Sequence, residues 1–125
     1  MVVSRAGGVL GRRRTIALAA LADVEQVGFS PGWGVRTLVD RAVRSAGLQP
    51  RVDLEVNDTD TLLDLVEAGL GIALIPEVLA RLRPNLHRVA ITDGRWDWTI
   101  AAHAVAPLPV NPAARAFWNT LTSNP

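Results

Sequence analysis

The chain has 125 residues, 49% of them apolar, and no cysteine. That length allows one packed domain and not comfortably two, and the missing thiols exclude disulfides, thiolate metal sites and thiol nucleophiles. All 13 basic residues are arginine and the net charge is +1, so no chain-wide basic field argues for nucleic acid. The charge is uneven, however: residues 1–22 hold four arginines and no acid, and the rest carries nine arginines against twelve acids, a net of −3.

Residues 1–11 have no clear period and two adjacent glycines, and read as a loose lead-in. Arg12-Arg13-Arg14 ahead of an eight-residue apolar stretch ending in Ala20-Leu21-Ala22 has the outline of a secretory signal. The arginines start late and the apolar run is short, so an edge strand followed by a short turn of helix is the better reading. No apolar run reaches the ~18 residues that span a bilayer.

Residues 24–29 read as a strand, and Pro31-Gly32-Trp33-Gly34 as a turn feeding a helix. Along that helix Val35, Leu38, Val39, Ala42 and Ala46 form one apolar face, while Arg36, Asp40 and Arg44 sit four apart and can pair. Gly47 is placed as its cap and Pro50 blocks continuation. Residues 51–56 alternate, with Val52, Leu54 and Val56 inward, as in a half-buried strand. Asn57-Asp58-Thr59-Asp60 offers a choice of N-caps for the next helix.

Then comes the most informative stretch, Thr61-Leu62-Leu63-Asp64-Leu65-Val66-Glu67-Ala68-Gly69-Leu70-Gly71-Ile72-Ala73-Leu74-Ile75-Pro76. It reads as a helix, a glycine break, a strand covered on both faces, and a proline that stops it. Pro76 opens a short helix through Leu82. Residues 86–91 form another strand, and Thr92-Asp93-Gly94 a turn. Residues 96–105 read as a long strand, and Asn111-Pro112 caps a last helix striped by Ala114, Phe117, Trp118 and Leu121. Strands alternating with helices predict an α/β fold with a mostly parallel sheet.

Gly28-Phe29-Ser30-Pro31-Gly32 matches the G-x-S-x-G nucleophile elbow, and Asp93, Asp97 and His103 follow in hydrolase order. The oxyanion hole needs the N–H of the residue after the serine, and Pro31 has none. An enzyme is therefore not expected. Gly32-Trp33-Gly34 lacks the third glycine of a dinucleotide fingerprint, since Thr37 stands there. His87 and His103 lack partners at metal-ligand spacing, so neither metal nor cofactor is expected. Trp96 and Trp98 flank Asp97 and read as packing residues.

What remains is a pair of helix starts at the carboxyl ends of neighbouring strands, where open α/β sheets collect ligands. Phe29, Ser30, Pro31, Gly32, Trp33 and Gly34 form the first, and Asn57, Asp58 and Thr59 the second. Free N–H groups at both favour an anion; helix capping is the alternative role for Asn57, Asp58 and Thr59.

Several ordered motifs together resemble the effector-binding domain of LysR-type transcriptional regulators. Leu62 through Pro76 is similar to that family's "lVaaGlGialiP" signature. Leu18 with Leu21-Ala22-Asp23 resembles its "laeLad" segment, Val27-Gly28-Phe29 with Gly34-Val35-Arg36 its crossover and following helix, Ala46-Gly47-Leu48-Gln49-Pro50 its "aGl.P" turn, and Pro107 with Asn111-Pro112-Ala113-Ala114-Arg115-Ala116-Phe117 its closing helix. The resemblance implies a periplasmic-binding-protein-like (type 2) fold in a cytoplasmic, non-membrane protein. It implies a small-molecule effector in a cleft between two subdomains, a homo-oligomer (dimer or tetramer), and DNA reached only through an N-terminal winged helix-turn-helix that this sequence does not include. On that basis residues 12–26 are a remnant of the first subdomain and crossover, 27–97 the second subdomain, and 98–125 a return strand and helix of the first. The chain is then expected to be a fragment with apolar surface left exposed at Ile100, Phe117 and Trp118. A secreted solute-binding module of the same fold is the alternative.

Overall fold

A computed structural model gives the fold and describes residues 1–96, 99, 101, 103 and 111–123. Its elements are β1 (Val2–Ser4), β2 (Thr15–Ile16), a 3-10 turn (Leu18–Leu21), β3 (Val27–Phe29), α1 (Gly34–Ser45), β4 (Leu54–Val56), α2 (Thr59–Glu67), β5 (Ala73–Leu74), α3 (Glu77–Ala80), β6 (His87–Ile91) and α4 (Pro112–Thr122). Four strands pair in the order β2-β6-β1-β5 and two as β3-β4. A parallel bridge between Gln26 and Ile72 joins the two sets. Val27 N–H donates to the Ile72 carbonyl at 2.8 Å and Ile72 N–H to the Glu25 carbonyl at 2.9 Å. The result is a single layer read β2-β6-β1-β5-β3-β4.

Both faces of this layer are covered, which is why its strands are apolar on both sides. Val3, Val27, Phe29, Ala73 and Ile75 point to one face, where Leu62, Leu63 and Val66 of α2 pack on them. Val2, Ile72, Leu74 and Val89 point to the other, against Leu18, Leu21 and Val43. Residues 12–26, expected to belong to a different subdomain from 27–97, therefore share a core with them.

The main surprise is β1. Residues 2–4 were expected within a loose lead-in, yet they form a strand between β5 and β6, antiparallel to both, in register Val2↔Leu74 and Val2↔Val89. Val2 and Val3 are 0% exposed. The remaining pairings, β2 with β6 and β3 with β4, are parallel as expected. The lead-in character holds only from Arg5 onward, where Gly7 and Gly11 turn the chain at positive φ.

Strand lengths fall short of the sequence reading. β4 begins only at Leu54, and Leu54 is 40% exposed rather than inward. Among the described residues it pairs with β3 alone, as an edge strand does, so alternation there does not mean burial. The loop before it is fixed by polar contacts instead: Asp53 accepts from Gln26 N–H at 2.9 Å and from Arg51 Nε at 2.8 Å. β5 keeps two residues, with Ile72 and Ile75 buried beside them and Leu70 outside. α3 ends at Ala80, not Leu82, and Pro76 is its N-cap. The expected strand over 96–105 falls largely outside the described residues, as do Asp97, Trp98, Ile100 and Pro107.

The helix ends follow the sequence closely. Gly47 (φ +77°) and Gly69 (φ +86°) adopt left-handed conformations that other residues rarely take. In each case the glycine N–H and the next N–H fold back on the last turn: Gly47 to Arg44 and Leu48 to Val43, Gly69 to Val66 and Leu70 to Leu65. These are Schellman endings. α4 is capped by Asn111, which accepts from Ala113 N–H at 2.9 Å. None of its residues is buried, and Phe117 is 66% exposed.

Candidate ligand-binding site

Every strand except β1 runs the same way, so their carboxyl ends share one edge of the sheet. The register Phe29↔Val56 sets β3 and β4 flush there. Ser30 N–H then donates to the Val56 carbonyl at 2.9 Å, joining the loop after β3 to the end of β4. Both expected helix starts leave from this point. Residues 30–34 lead into α1 and residues 57–59 into α2.

The two starts differ chemically. At α1 the N-cap is Trp33, which supplies no side-chain cap, and the first turn contains no acid. Its N–H groups are therefore left for an outside partner. Pro31, Gly32 and Gly34 are exposed, Gly32 turns at φ +98°, and a Cβ at Gly34 would meet nothing within 4 Å. Approach to this backbone is unobstructed. The Trp33 ring stacks on buried Phe29 with centroids 4.9 Å apart and stays 39% exposed, which makes a flat apolar wall beside the free amides.

At α2 the capping role is the one observed. Asp58 accepts from Thr61 N–H at 2.8 Å, and Asp60 adds a second acid to the first turn. The hydrogen bond from the Thr61 amide holds the Asp58 carboxyl below the usual aspartate range. An anion is thus favoured at the α1 start and opposed at the α2 start, where a hydroxyl or ammonium group fits the exposed carboxylates.

Asp58 also gives a pH test. Its lowered folded-state pKa means that its contribution to stability is present above the ordinary aspartate value and is lost as pH falls through the lowered one. Asn caps a helix as well as Asp does. Asp58→Asn should therefore match the parent Tm at pH 7 and lose less Tm than the parent between pH 5 and pH 2.5. An identical acid profile in thermal melts would show that the cap charge is not coupled to folding.

Arg36, at the third helical position of α1, locks this corner. Its guanidinium donates to the Phe29 carbonyl at 2.9 Å, to Glu55 at 2.9 Å and to Asp40 at 3.0 Å. The hydrogen bond to Glu55 raises its pKa further, against the cost of burial, with Asp40 adding to the rise. The Arg36–Asp40 pair was legible from spacing; the reach across to β4 was not. Arg36 is a strut rather than a free cation for a ligand.

Three junctions on the same edge escaped sequence reasoning. Pro76 and Glu77 follow β5, Thr92 and Asp93 follow β6, and Ala17 and Leu18 follow β2. Asp93 accepts from Leu18 N–H at 2.8 Å and so caps the 3-10 turn. The strand-then-turn pattern that singled out residues 30–34 was present at each of them. Among the described residues no three His, Asp or Glu side chains gather as metal ligands, and no helix is long and apolar enough to cross a membrane.

A doubly covered, mostly parallel sheet with helix starts collected along its carboxyl edge has the α/β architecture of the periplasmic-binding-protein kind. The model of the LysR substrate binding domain matches residues 1–124, and the chain belongs to that family. It is 36% identical over 80 residues to a probable nitrogen assimilation transcriptional activator of Synechococcus elongatus, covering 62% of this chain and 26% of that protein. It is 34% identical over 68 residues to the transcriptional dual regulator GltC of Bacillus subtilis, covering 54% and 23%.

Solved structures agree in fold. The effector binding domain of QuiR in complex with shikimate superposes with a TM-score of 0.72 at 24% identity, over 94% of this chain and 56% of that one. The Synechocystis PCC6803 CcmR regulatory domain in complex with 2-PG gives a TM-score of 0.75 at 20% identity, over 98% and 60%. The chain thus spans about a quarter of the length of these curated regulators and 56–60% of these two solved domains. The matched family model is a substrate binding domain, and these curated relatives are transcription regulators.

Proposed function

We propose that residues 1–96 form the second effector-binding subdomain of a cytoplasmic, non-catalytic LysR-type regulator, and that its carboxyl edge is one wall of the effector cleft. Phe29, Ser30, Pro31, Gly32, Trp33 and Gly34 receive the anionic group of a small metabolite. Asn57, Asp58 and Thr59 receive its hydroxyl or ammonium end. The observation that carries this reading is the uncapped, sterically open start of α1 set flush against the acid-capped start of α2. Shikimate and 2-PG are the ligands in the solved complexes of two similar domains. The other wall would come from the first subdomain, and the signal would pass through a homodimer or homotetramer to DNA-binding helices elsewhere in the regulator.

The test follows intrinsic tryptophan fluorescence and Tm across a panel of small hydroxycarboxylates, amino acids and phosphate esters, with Trp33→Phe to identify the part of the signal that belongs to Trp33. Gly34→Pro is the diagnostic variant. Proline is tolerated at the first helical position and follows an extended Trp33, so the fold should hold, with Tm unchanged. It removes one N–H aimed at the anion, worth about 1.5–3 kcal/mol to a charged partner, so affinity for any ligand found should fall at least tenfold. Equal affinity in the proline variant would rule out this end of α1 as the anion site.

A further inference from the structure

The edge of the sheet opposite the helix starts carries a different chemistry. Arg14 leads into β2 and His87 begins β6, and between them lies an open basin of about 680 Å³ bordered by Gly7, Gly11, Arg12, Arg14, Asn85 and His87. Among the described residues no acid borders it, and residues 1–22 contain none. Among the described residues the ion pairs engage Arg36, Arg44, Arg51, Arg81 and Arg83, and none engages Arg12 or Arg14. Both are exposed. His87 fixes the segment: its Nε2 lies 2.9 Å from the Arg13 carbonyl, which can only accept, so Nε2–H is the donor. Gly7 (φ +70°) and Gly11 (φ +58°) shape the turns, and a Cβ at either would meet nothing within 4 Å, so backbone amides there are approachable as well.

We propose that this basin docks the phosphodiester backbone of duplex DNA as a second, sequence-independent contact of the regulator. Unpaired, exposed guanidinium groups lose little hydration on meeting a phosphate and gain from counterion release. The basin is too open to enclose a small ion, whereas an extended polyanion can lie across it. Such a contact carries no base recognition, in keeping with a net charge too small for a stand-alone DNA-binding module. The choice of DNA as the polyanion rests on the family assignment; the anion site itself rests on the charges and does not depend on where the effector binds.

Fluorescence anisotropy of a labelled random-sequence 20-base-pair duplex, titrated with this chain at 20–200 mM salt, tests it. Binding is expected at low salt, with Kd on the order of 10⁻⁴ M and indifferent to sequence. The double variant Arg12→Ala, Arg14→Ala should bind at least tenfold more weakly, with a log–log salt slope shallower by about 2, one unit per lost phosphate contact. A charge-matched control, Arg41→Ala with Arg44→Ala on α1, should bind as the parent does. Circular dichroism and Tm of each variant verify folding. Unchanged binding in the first pair, or an equal loss in the control, overturns the proposal. So does binding of inorganic pyrophosphate without binding of DNA, which would assign the basin to a small free anion. A chain that binds DNA through these arginines but no metabolite keeps this proposal and removes the effector reading; the reverse result does the opposite.

Discussion

Val3→Asp should abolish folding of the isolated chain. Val3 is fully buried in the middle of the sheet, between Ala73 on β5 and Arg88 on β6. Its side chain lies in the core that α2 covers. An aspartate there is desolvated beneath α2, and the cation across the ladder, Arg88, is exposed and would have to turn inward to pair with it, so the loss should still exceed about 3 kcal/mol. Native domains of this size are stable by only about 5–15 kcal/mol. Val3→Ala is the milder probe. It should cost about 2 kcal/mol, mostly transfer of the missing methyl groups plus the cavity they leave. Urea melts followed by circular dichroism give both numbers. Cooperative unfolding of Val3→Asp at the parent's midpoint would mean that β1 is not central to the sheet.

Gly71→Val should be nearly as damaging, for a different reason. A Cβ at this position would sit 2.8 Å from the Glu25 carbonyl oxygen and 3.1 Å from its carbon, with Val27 Cγ2 at 3.3 Å. Two of those neighbours are backbone and cannot rotate away. The clash falls on the Gln26–Ile72 bridge, which joins the β3-β4 pair to the other four strands. Overpacking here should cost about 3 kcal/mol. It should also raise hydrogen exchange at the Val27 and Ile72 amides, which bond across that seam, before it affects the β1–β6 ladder. Exchange that rises evenly over the whole sheet would show that the seam has no separate weakness.

These two sites mark what sequence patterning can and cannot convey. α1 and α2 were legible because each spans several turns and repeats its apolar residues at helical spacing; their glycine endings were legible because a left-handed turn has few other solutions. Gly71 was visible as part of the signature, but its close approach to Glu25 was not, since nothing local encodes a neighbour 46 positions away. β1 was missed because three residues carry no period, and its burial depends on partners near positions 73 and 88. Leu54 was misplaced because alternation specifies two faces of a strand without saying whether each face is covered.

The candidate site divides in the same way. Helix-start chemistry singled out residues 29–34 and 57–59, and parallel pairing of β3 with β4 does bring those segments to one edge. The opposite electrostatic character of the two starts depended on which of four capping candidates took the role, and that became clear only with Asp58 bonded to Thr61. The role of Arg36 as a three-way strut likewise needed β4 in position beside α1.

Because β1 runs against all its neighbours, its first residue lies at the rim where the other strands finish: Ile75 N–H donates to the Met1 carbonyl at 3.0 Å. A tag or reporter domain spliced ahead of Met1 would emerge at the carboxyl edge of the sheet, beside the starts of α1 and α2, not behind the molecule. Under the proposed function a purification handle there crowds the incoming metabolite, and an environment-sensitive dye at the same spot reports its occupancy.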